Sequence, residues 1–151
     1  MSKINGIYAA SVSVLDKELN LDVDKTIKHA ENLILQGCHG VVIFGSTGQA
    51  QLISVAEKTK LIEKLSKNKF KNNYIIGTGF NSLKETINFL NVCKNFNFGN
   101  FLIMPPAYYF YTDNDAIKFY SEIIKIHPWC KIILYNFQKL CGYKFSVECV
   151  E

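Results

Sequence analysis

The chain has 151 residues, of which 48% are hydrophobic and 20% are charged, and its formal net charge is +4. These values are typical of a globular domain with a sizeable core, and they exclude a disordered chain. The positive residues are all lysine, without a single arginine, so any anion must be held without a guanidinium group.

The rest of the sequence indicates which cellular compartment and which binding partners are expected. The first ten residues, MSKINGIYAA, contain no continuous apolar segment, and the longest apolar runs are strand-sized, so we expect no signal peptide and no transmembrane helix. Five cysteines form no C-x-x-C pair and the three histidines are scattered, which favours a cytoplasmic protein with reduced thiols and no metal site. The lysine patch Lys67–Asn73 lacks a binding motif, so we interpret it as a solvated loop and expect no nucleic-acid partner.

Apolar, strand-like runs alternate along the chain with amphipathic, helix-like segments. The predicted strands are Ile7–Val14, Gly40–Phe44, Tyr74–Gly77, Asn100–Met104 and Ile132–Tyr135. The predicted helices are Asp24–Gln36, Val55–Leu65, Leu83–Cys93 and Asp115–Ile126, and a fifth helix is expected to begin near Ser146. Capping boxes at Ser54–Glu57 and Ser82–Glu85 mark two of the helix starts, and Gly37 ends the first helix.

The alternation of strands and helices predicts parallel strands joined by right-handed crossovers. Two architectures fit this order. One is an open, doubly wound sheet of five strands. The other is a (β/α)8 TIM barrel, which typically needs ~250 residues, so this chain would supply about five of the eight units. No composition break indicates a second domain, and we therefore expect residues 1–151 to form a single domain.

In either architecture, functional residues collect in the loops at the carboxyl ends of the strands. These loops contain glycines, hydroxyls and tyrosines, but they contain neither carboxylates nor histidines. The loop Gly45-Ser46-Thr47-Gly48 can offer backbone N–H groups and two hydroxyls to a carboxylate or a phosphate. A tight turn with a capping hydroxyl is the equally reasonable alternative. The loop fits neither the P-loop nor the G-x-G-x-x-G pattern, and we expect no cofactor.

Tyrosines at the ends of the later strands are the other candidates. Tyr135 ends the fifth strand, where its phenol either packs in the core or relays protons in a closed pocket. Tyr108 and Tyr109 follow two prolines, so their backbone is expected to be extended and stiff. Adjacent side chains on extended backbone point in opposite directions, so one tyrosine could face the pocket and the other a partner subunit.

Four segments together resemble the dihydrodipicolinate synthase / N-acetylneuraminate lyase family of class I aldolases. The segments are LILQGCHGVVIFGSTGQAQLISVAEK, IIGTGFNS, PPAYYFYTDNDAIKFY and ILYNFQKLCG, which keep the order and spacing of the family's motifs. The resemblance covers essentially the whole chain and implies that residues 1–151 form one partial barrel domain. It implies a (β/α)8 barrel, commonly a homotetramer, that forms a Schiff base between a lysine and pyruvate or a related 2-keto acid.

The resemblance also implies roles for individual residues. Ser46 and Thr47, between Gly45 and Gly48, would hold the pyruvate carboxylate. Tyr135 would be the proton-relay phenol, and Tyr109 would reach the site of a neighbouring subunit.

The chain departs from the family pattern in several places. The Schiff-base lysine of the family lies in a G-x-K motif on the next strand, past Glu151, and Lys131, Lys139 and Lys144 do not fit that place. Gln49 replaces a glutamate, and Gln138 replaces a proline. Leu140 stands where the dihydrodipicolinate synthases carry an arginine for a dicarboxylic substrate, which weakly favours the sugar-acid lyase branch.

Two functional hypotheses follow. The first is the N-terminal portion of a pyruvate-dependent aldolase or lyase, inactive alone because the electrophile-forming lysine is missing. The second is a small α/β module that binds a carboxylate or phosphate without catalysis.

Overall fold

The computed structural model of the protein describes residues 4–151. Within them, five parallel strands form one sheet. The strands are β1 Tyr8–Ala10, β2 Gly40–Ile43, β3 Tyr74–Gly77, β4 Asn100–Ile103 and β5 Lys131–Leu134. All five predicted strands are therefore present. The first is much shorter than predicted, because beyond β1 the Val14 N–H donates to the Thr26 hydroxyl instead of extending the sheet.

Helices separate the strands as predicted. They are α1 Val23–Leu35, α2 Val55–Leu65, α3 Leu83–Asn95, α4 Asp113–Ile126, α5 Gln138–Cys141 and α6 Val147–Val150, with single 3-10 turns at Ala50–Leu52 and Lys71–Asn73. The bounds of α2 agree with the prediction. Helix α5 and the two 3-10 turns were not predicted, since such short elements show no hydrophobic periodicity. No helix within residues 4–151 combines the length and apolar content that crossing a membrane requires.

The strand order decides between the two architectures. The strands are arranged β1-β2-β3-β4-β5, so each pairs with its neighbours in sequence. In a doubly wound sheet, the order in which the strands are added instead reverses at a switch point. The doubly wound alternative is therefore wrong, and the consecutive order is that of a barrel wall.

The two faces of the sheet differ in burial. Val41, Ile76 and Phe101 share the outer face, where the helices pack, and all three are completely buried. Because successive side chains point to opposite faces, Val42 and Leu102 lie on the inner face, where both are only partly buried. The hydrophobic core of the described chain thus lies between sheet and helices, and the barrel-interior side is open.

Helix termini are fixed mainly by side chains before the first turn. The capping box at Ser54 and Glu57 is confirmed. The second predicted box is only half formed, because the Ser82 hydroxyl accepts from the Glu85 N–H but no reciprocal bond is recorded within residues 4–151. Helix α4 begins at Asp113, earlier than predicted, with Thr112 and Asp115 forming a capping box. Gly37, with φ +108°, ends α1 as predicted.

Candidate active site

A cavity of about 240 Å³ lies at the carboxyl ends of the strands. Its walls come from the loops after β2, β3 and β5 and from the end of β4. Gly45, Ser46 and Tyr135, which the sequence singles out, all line it. The structure therefore brings together one hydroxyl of the glycine loop and the phenol of the fifth strand in a single pocket.

The Gly45–Gly48 loop forms a tight turn. The Gln49 N–H donates to the Ser46 carbonyl at 3.0 Å, and the Ala50 N–H donates to the Gly45 carbonyl at 3.2 Å. Ser46 and Thr47 are exposed, and neither hydroxyl bonds to any residue of 4–151. Both hydroxyls are thus free to bind a ligand, but Thr47 does not line the pocket.

Close backbone approaches fix the position of this loop. A Cβ added to Gly48 would lie 3.0 Å from the Ser11 carbonyl oxygen. A Cβ added to Gly77, at the end of β3, would overlap the Phe44 carbonyl oxygen at the end of β2. Only glycine allows the strand ends to approach this closely. The two glycines therefore define where the loop stands relative to its neighbours.

Tyr135 is positioned by the sheet itself. Its backbone N–H donates to the Ile103 carbonyl at 3.1 Å, which continues the pairing of β4 and β5 by one step. The half-buried ring lies edge-on to Phe137, with ring centroids 6.2 Å apart. The phenol makes no hydrogen bond to the described residues, so its donor and acceptor capacity is open to a ligand.

Tyr109 lies outside this pocket. Tyr108, Tyr109 and Phe110 are 87%, 75% and 99% exposed, respectively. The rings of Tyr108 and Tyr109 contact each other edge-to-face, and Tyr108 has a φ of +86° rather than the extended backbone that was expected. The segment is therefore an exposed aromatic surface, and the expected role of Tyr109 at a neighbouring subunit stays a prediction.

The rest of the pocket is apolar or neutral. Leu52, Leu102, Met104 and Leu140 line it, and the Gln51 carboxamide donates to the Met104 sulfur at 3.4 Å. Leu140 is thus part of the pocket wall, and its expected correspondence to an arginine of the synthases stays a prediction. Tyr135 is the sole titratable side chain among the described residues that line the cavity.

Lys58 is a buried residue that our sequence interpretation missed. It shares the apolar face of α2 with Leu61, Ile62 and Leu65, at helical spacings of three, four and seven residues, and it is completely buried. This interruption of an apolar stripe was the signal that would have found it. Burial lowers the pKa of its ammonium to about 8.

The lysines near β5 do not enter the pocket. Lys131 lies on the strand and is partly buried, whereas Lys139 and Lys144 are exposed. Gly142, Tyr143 and Lys144 do have G-x-K spacing, but they lie in the loop after α5 and not on a strand. None of these lysines lines the cavity, so the described site contains no amine that faces a bound ligand.

Comparison with known proteins places this chain in a family. A family model, the dihydrodipicolinate synthetase family, matches residues 3–151. The chain belongs to this family. Membership confirms the resemblance drawn from the four sequence segments and agrees with the barrel order of the strands.

Individual relatives cover the chain almost completely. The 4-hydroxy-tetrahydrodipicolinate synthase of Methanospirillum hungatei JF-1 is 26% identical over 148 residues, which are 96% of this chain and 50% of that enzyme. The N-acetylneuraminate lyase of Salmonella paratyphi B is 26% identical over 146 residues, 96% of this chain and 49% of that enzyme. This member of the dihydrodipicolinate synthetase family thus spans about half the length of the curated relatives that it matches.

A solved structure supports the fold independently. The catalytic lysine mutant of the Ruminococcus gnavus sialic acid aldolase superposes with a TM-score of 0.86 at 20% sequence identity. The match covers 95% of this chain and 48% of the aldolase. The five strands and their helices are therefore arranged as part of a family barrel.

Proposed function

We propose that the chain forms the keto-acid-binding portion of a pyruvate-dependent aldolase or lyase that works through a Schiff base. The observation that carries this proposal is the single pocket at the strand ends, where Gly45 and Ser46 face Tyr135. A nest of backbone N–H groups with free hydroxyls suits a carboxylate, and a phenol nearby suits proton transfer.

Ser46 and Thr47 hold the carboxylate end of the keto acid in this proposal. Both hydroxyls are exposed and free of bonds to residues 4–151. Gly45 leaves room on the pocket side, since a Cβ there would meet side-chain atoms of Val42 and Leu102 at ordinary distances of 3.9 and 4.0 Å. The loop can therefore approach the ligand closely without disturbing the strands beneath it.

Tyr135 acts as the proton relay. Its phenol lines the same cavity as Ser46, and its backbone is fixed through β4. The phenol can donate its O–H proton to the keto oxygen of a ligand held at the glycine loop and, as the phenolate left behind, take one proton back from the same ligand. The proton then moves only between a ligand oxygen and the tyrosine oxygen, and the ligand carboxylate is unchanged.

Electrophile activation must come from an amine outside the pocket described here. The Ruminococcus gnavus relative has a catalytic lysine, and imine formation makes the keto acid an electron sink. No lysine of the described chain lines the cavity. We therefore infer that these residues bind the keto acid and do not themselves form the covalent intermediate.

A second function is favoured by the same feature. A pocket that has one phenol as its sole titratable side chain, within the described residues, can bind a small anion without any reaction. In this case inorganic phosphate should bind as well as pyruvate. The two proposals differ in their ligand selectivity.

Thermal unfolding with and without ligand tests both proposals. Because a ligand that binds only the folded state raises the unfolding temperature, an excess of pyruvate should give a measurable rise. Ser46→Ala and Thr47→Val should reduce the rise, and Ser121→Ala, an exposed serine on α4, should not. A rise with phosphate that equals or exceeds the rise with pyruvate supports the second function instead.

Borohydride trapping tests the absence of a reactive amine. Pyruvate and sodium borohydride should leave the mass of this chain unchanged, because no amine faces the cavity. A pyruvate adduct that maps to Lys58, Lys131, Lys139 or Lys144 would contradict the inference that the described residues lack the imine-forming amine.

We also propose that the chain associates with copies of itself. The exposed aromatic surface Tyr108–Phe110 supports this proposal, since large exposed apolar patches mark protein interfaces. A contact there would cover Tyr109, for which the family resemblance implies a place at a neighbouring subunit.

A further inference from the structure

Lys58 is held between two of the loops that frame the candidate site. Its ammonium donates a hydrogen bond to the Thr78 carbonyl oxygen at 2.7 Å. The same nitrogen lies 3.9 Å from the centroid of the Phe80 ring and 5.7 Å from that of the Phe44 ring. Thr78 and Phe80 follow β3, and Phe44 follows β2, so one charge contacts the ends of two neighbouring strands.

This charge is buried without a carboxylate in contact. Lys58 is fully buried, and no carboxylate of residues 4–151 pairs with its ammonium. Buried charges usually have such a partner, because removing an ion from water costs several kcal/mol. Aromatic faces and one carbonyl offset part of this cost. A leucine or methionine would fill the same helix position without the cost, so the charge calls for a function.

The ammonium lies directly behind the pocket. Phe44 lines the cavity and precedes the Gly45–Gly48 loop. Gly79 also lines the cavity, and its N–H belongs to the same peptide group as the Thr78 carbonyl that Lys58 holds. Phe44 and the Thr78–Gly79 peptide group, which contact Lys58, would therefore also contact a ligand in the cavity.

We propose that Lys58 is a positioning residue of the candidate site, whose ammonium ties the loop after β3 to the end of β2 and whose positive charge favours an anion in the pocket. The anionic part of this inference rests on the proposed function. Lys58 acts through Phe44 and Gly79 and does not touch the ligand. In a chain without arginine, it supplies the positive charge that the pocket lining lacks.

The surroundings of Lys58 set the pH range of this effect. The segments after β2 and β3 present Phe44, Thr78 and Phe80, none of which ionises in this range, and α3 presents Glu85, whose charge favours the protonated amine. Burial has the larger effect and lowers the pKa of Lys58 to about 8. Lys58 is therefore protonated and charged at neutral pH, and it loses its proton and its charge as the pH rises through about 8.

The main test is the pH dependence of pyruvate affinity. Between pH 7 and pH 9.5, pyruvate keeps its charge and Lys58 loses its own, so the affinity should fall roughly fivefold. Lys58→Met should bind pyruvate weakly, with no such pH dependence. Lys60→Met, which removes an exposed lysine of the same helix, should keep the wild-type profile.

A ligand-free measurement tests the loop contact separately. The carbonyl 13C shift of Thr78 should titrate with a midpoint near pH 8 in the wild-type protein, and it needs no variant that must fold. A flat Thr78 shift would overturn the contact between Lys58 and the loop. A titrating Thr78 shift with a pH-independent pyruvate affinity would overturn the action of the charge on the pocket.

The proposed function can fail in a different way. If pyruvate binds at no pH, the keto-acid proposal is contradicted together with the anionic role of Lys58, and the Thr78 titration then decides the loop contact alone. A purely structural role also predicts a different result. It would change the unfolding free energy of Lys58→Met without changing the pH profile of affinity.

Discussion

Gly77 shows how a single residue fixes the geometry of the site. A Cβ at this position would overlap the Phe44 carbonyl oxygen, which belongs to backbone and cannot rotate away. Gly77→Ala should therefore separate the ends of β2 and β3. We expect the free energy of unfolding to fall by about 1–3 kcal/mol, the usual range for overpacking. Urea denaturation at constant pH measures this change.

Gly45→Ala is the matched control for this prediction. A Cβ at Gly45 would meet its nearest atoms at 3.9 and 4.0 Å, so stability should be nearly unchanged. The added methyl group projects where a ligand is expected, and pyruvate stabilisation should decrease. Equal loss of stability in the two variants would contradict the close approach at Gly77.

The residues of the site were partly predictable from the sequence. Gly45, Ser46 and Tyr135 could be found because strand ends and motif order place them at one edge of the sheet. Thr47 is exposed in the loop but lies outside the cavity lining. Lys58 was missed because a lysine on a helix is normally solvated, and only its phase relative to Leu61 and Leu65 reveals its burial.

The start of α2 shows how an element connects separate parts of the fold. Glu57 accepts from the Ser54 N–H in the capping box, and its other oxygen accepts from the Leu21 N–H at 2.7 Å. One carboxylate therefore caps the helix and anchors the segment that leads to α1. The hydrogen bond from the Ser54 side chain, followed by that from Leu21, lowers the pKa of Glu57.

A pH-dependent stability follows from this cap. Because the folded-state pKa of Glu57 is lowered, its contribution to stability is present at neutral pH and is lost as the pH falls through that pKa. Glu57→Gln should lower the unfolding free energy at pH 7 by about 1 kcal/mol, a typical value for a cap, and by less in acid. Chemical denaturation at pH 7 and at pH 4 measures both values.

Glu63→Gln provides the control on the same helix. Glu63 is exposed and takes no part in the cap, so the variant should follow the wild-type pH dependence. A Glu57→Gln variant with unchanged acid sensitivity would show that the cap does not couple to proton binding.

Elements were more predictable than their ends. Helix α2 agrees residue by residue, because Ser54 and Glu57 mark its start and its apolar period is regular. Strand β1 was predicted too long, since an apolar run does not reveal that the Thr26 hydroxyl takes the Val14 N–H. Helix α5 was missed because four residues are too few to show a hydrophobic periodicity.

At the scale of the whole molecule, the sheet has two edges and an open inner face. Within residues 4–151, β1 pairs only with β2, and β5 pairs only with β4. Such edges favour association with other chains. The alternation of strands and helices left two architectures open, because local patterns do not encode which strands become neighbours. The family resemblance favoured the barrel, and the strand order confirms it.

Self-association is the corresponding prediction. Light scattering of the 151-residue chain should give a mass larger than that of one copy. Replacing Tyr108, Tyr109 and Phe110 with serine should lower this mass if the aromatic surface forms the contact. A mass of one copy over the whole concentration range would contradict association, and an unchanged mass in the triple variant would place the contact elsewhere.

The central claim is that the loop Gly45–Gly48 and Tyr135 form one keto-acid site. A pyruvate titration followed by 1H–15N NMR tests this claim most directly, because it locates the ligand without requiring turnover. We predict saturable shift changes at Gly45, Ser46, Gly79 and Tyr135, all of which line the cavity. Saturation at residues away from this cavity, or no change at these four, would contradict the claim.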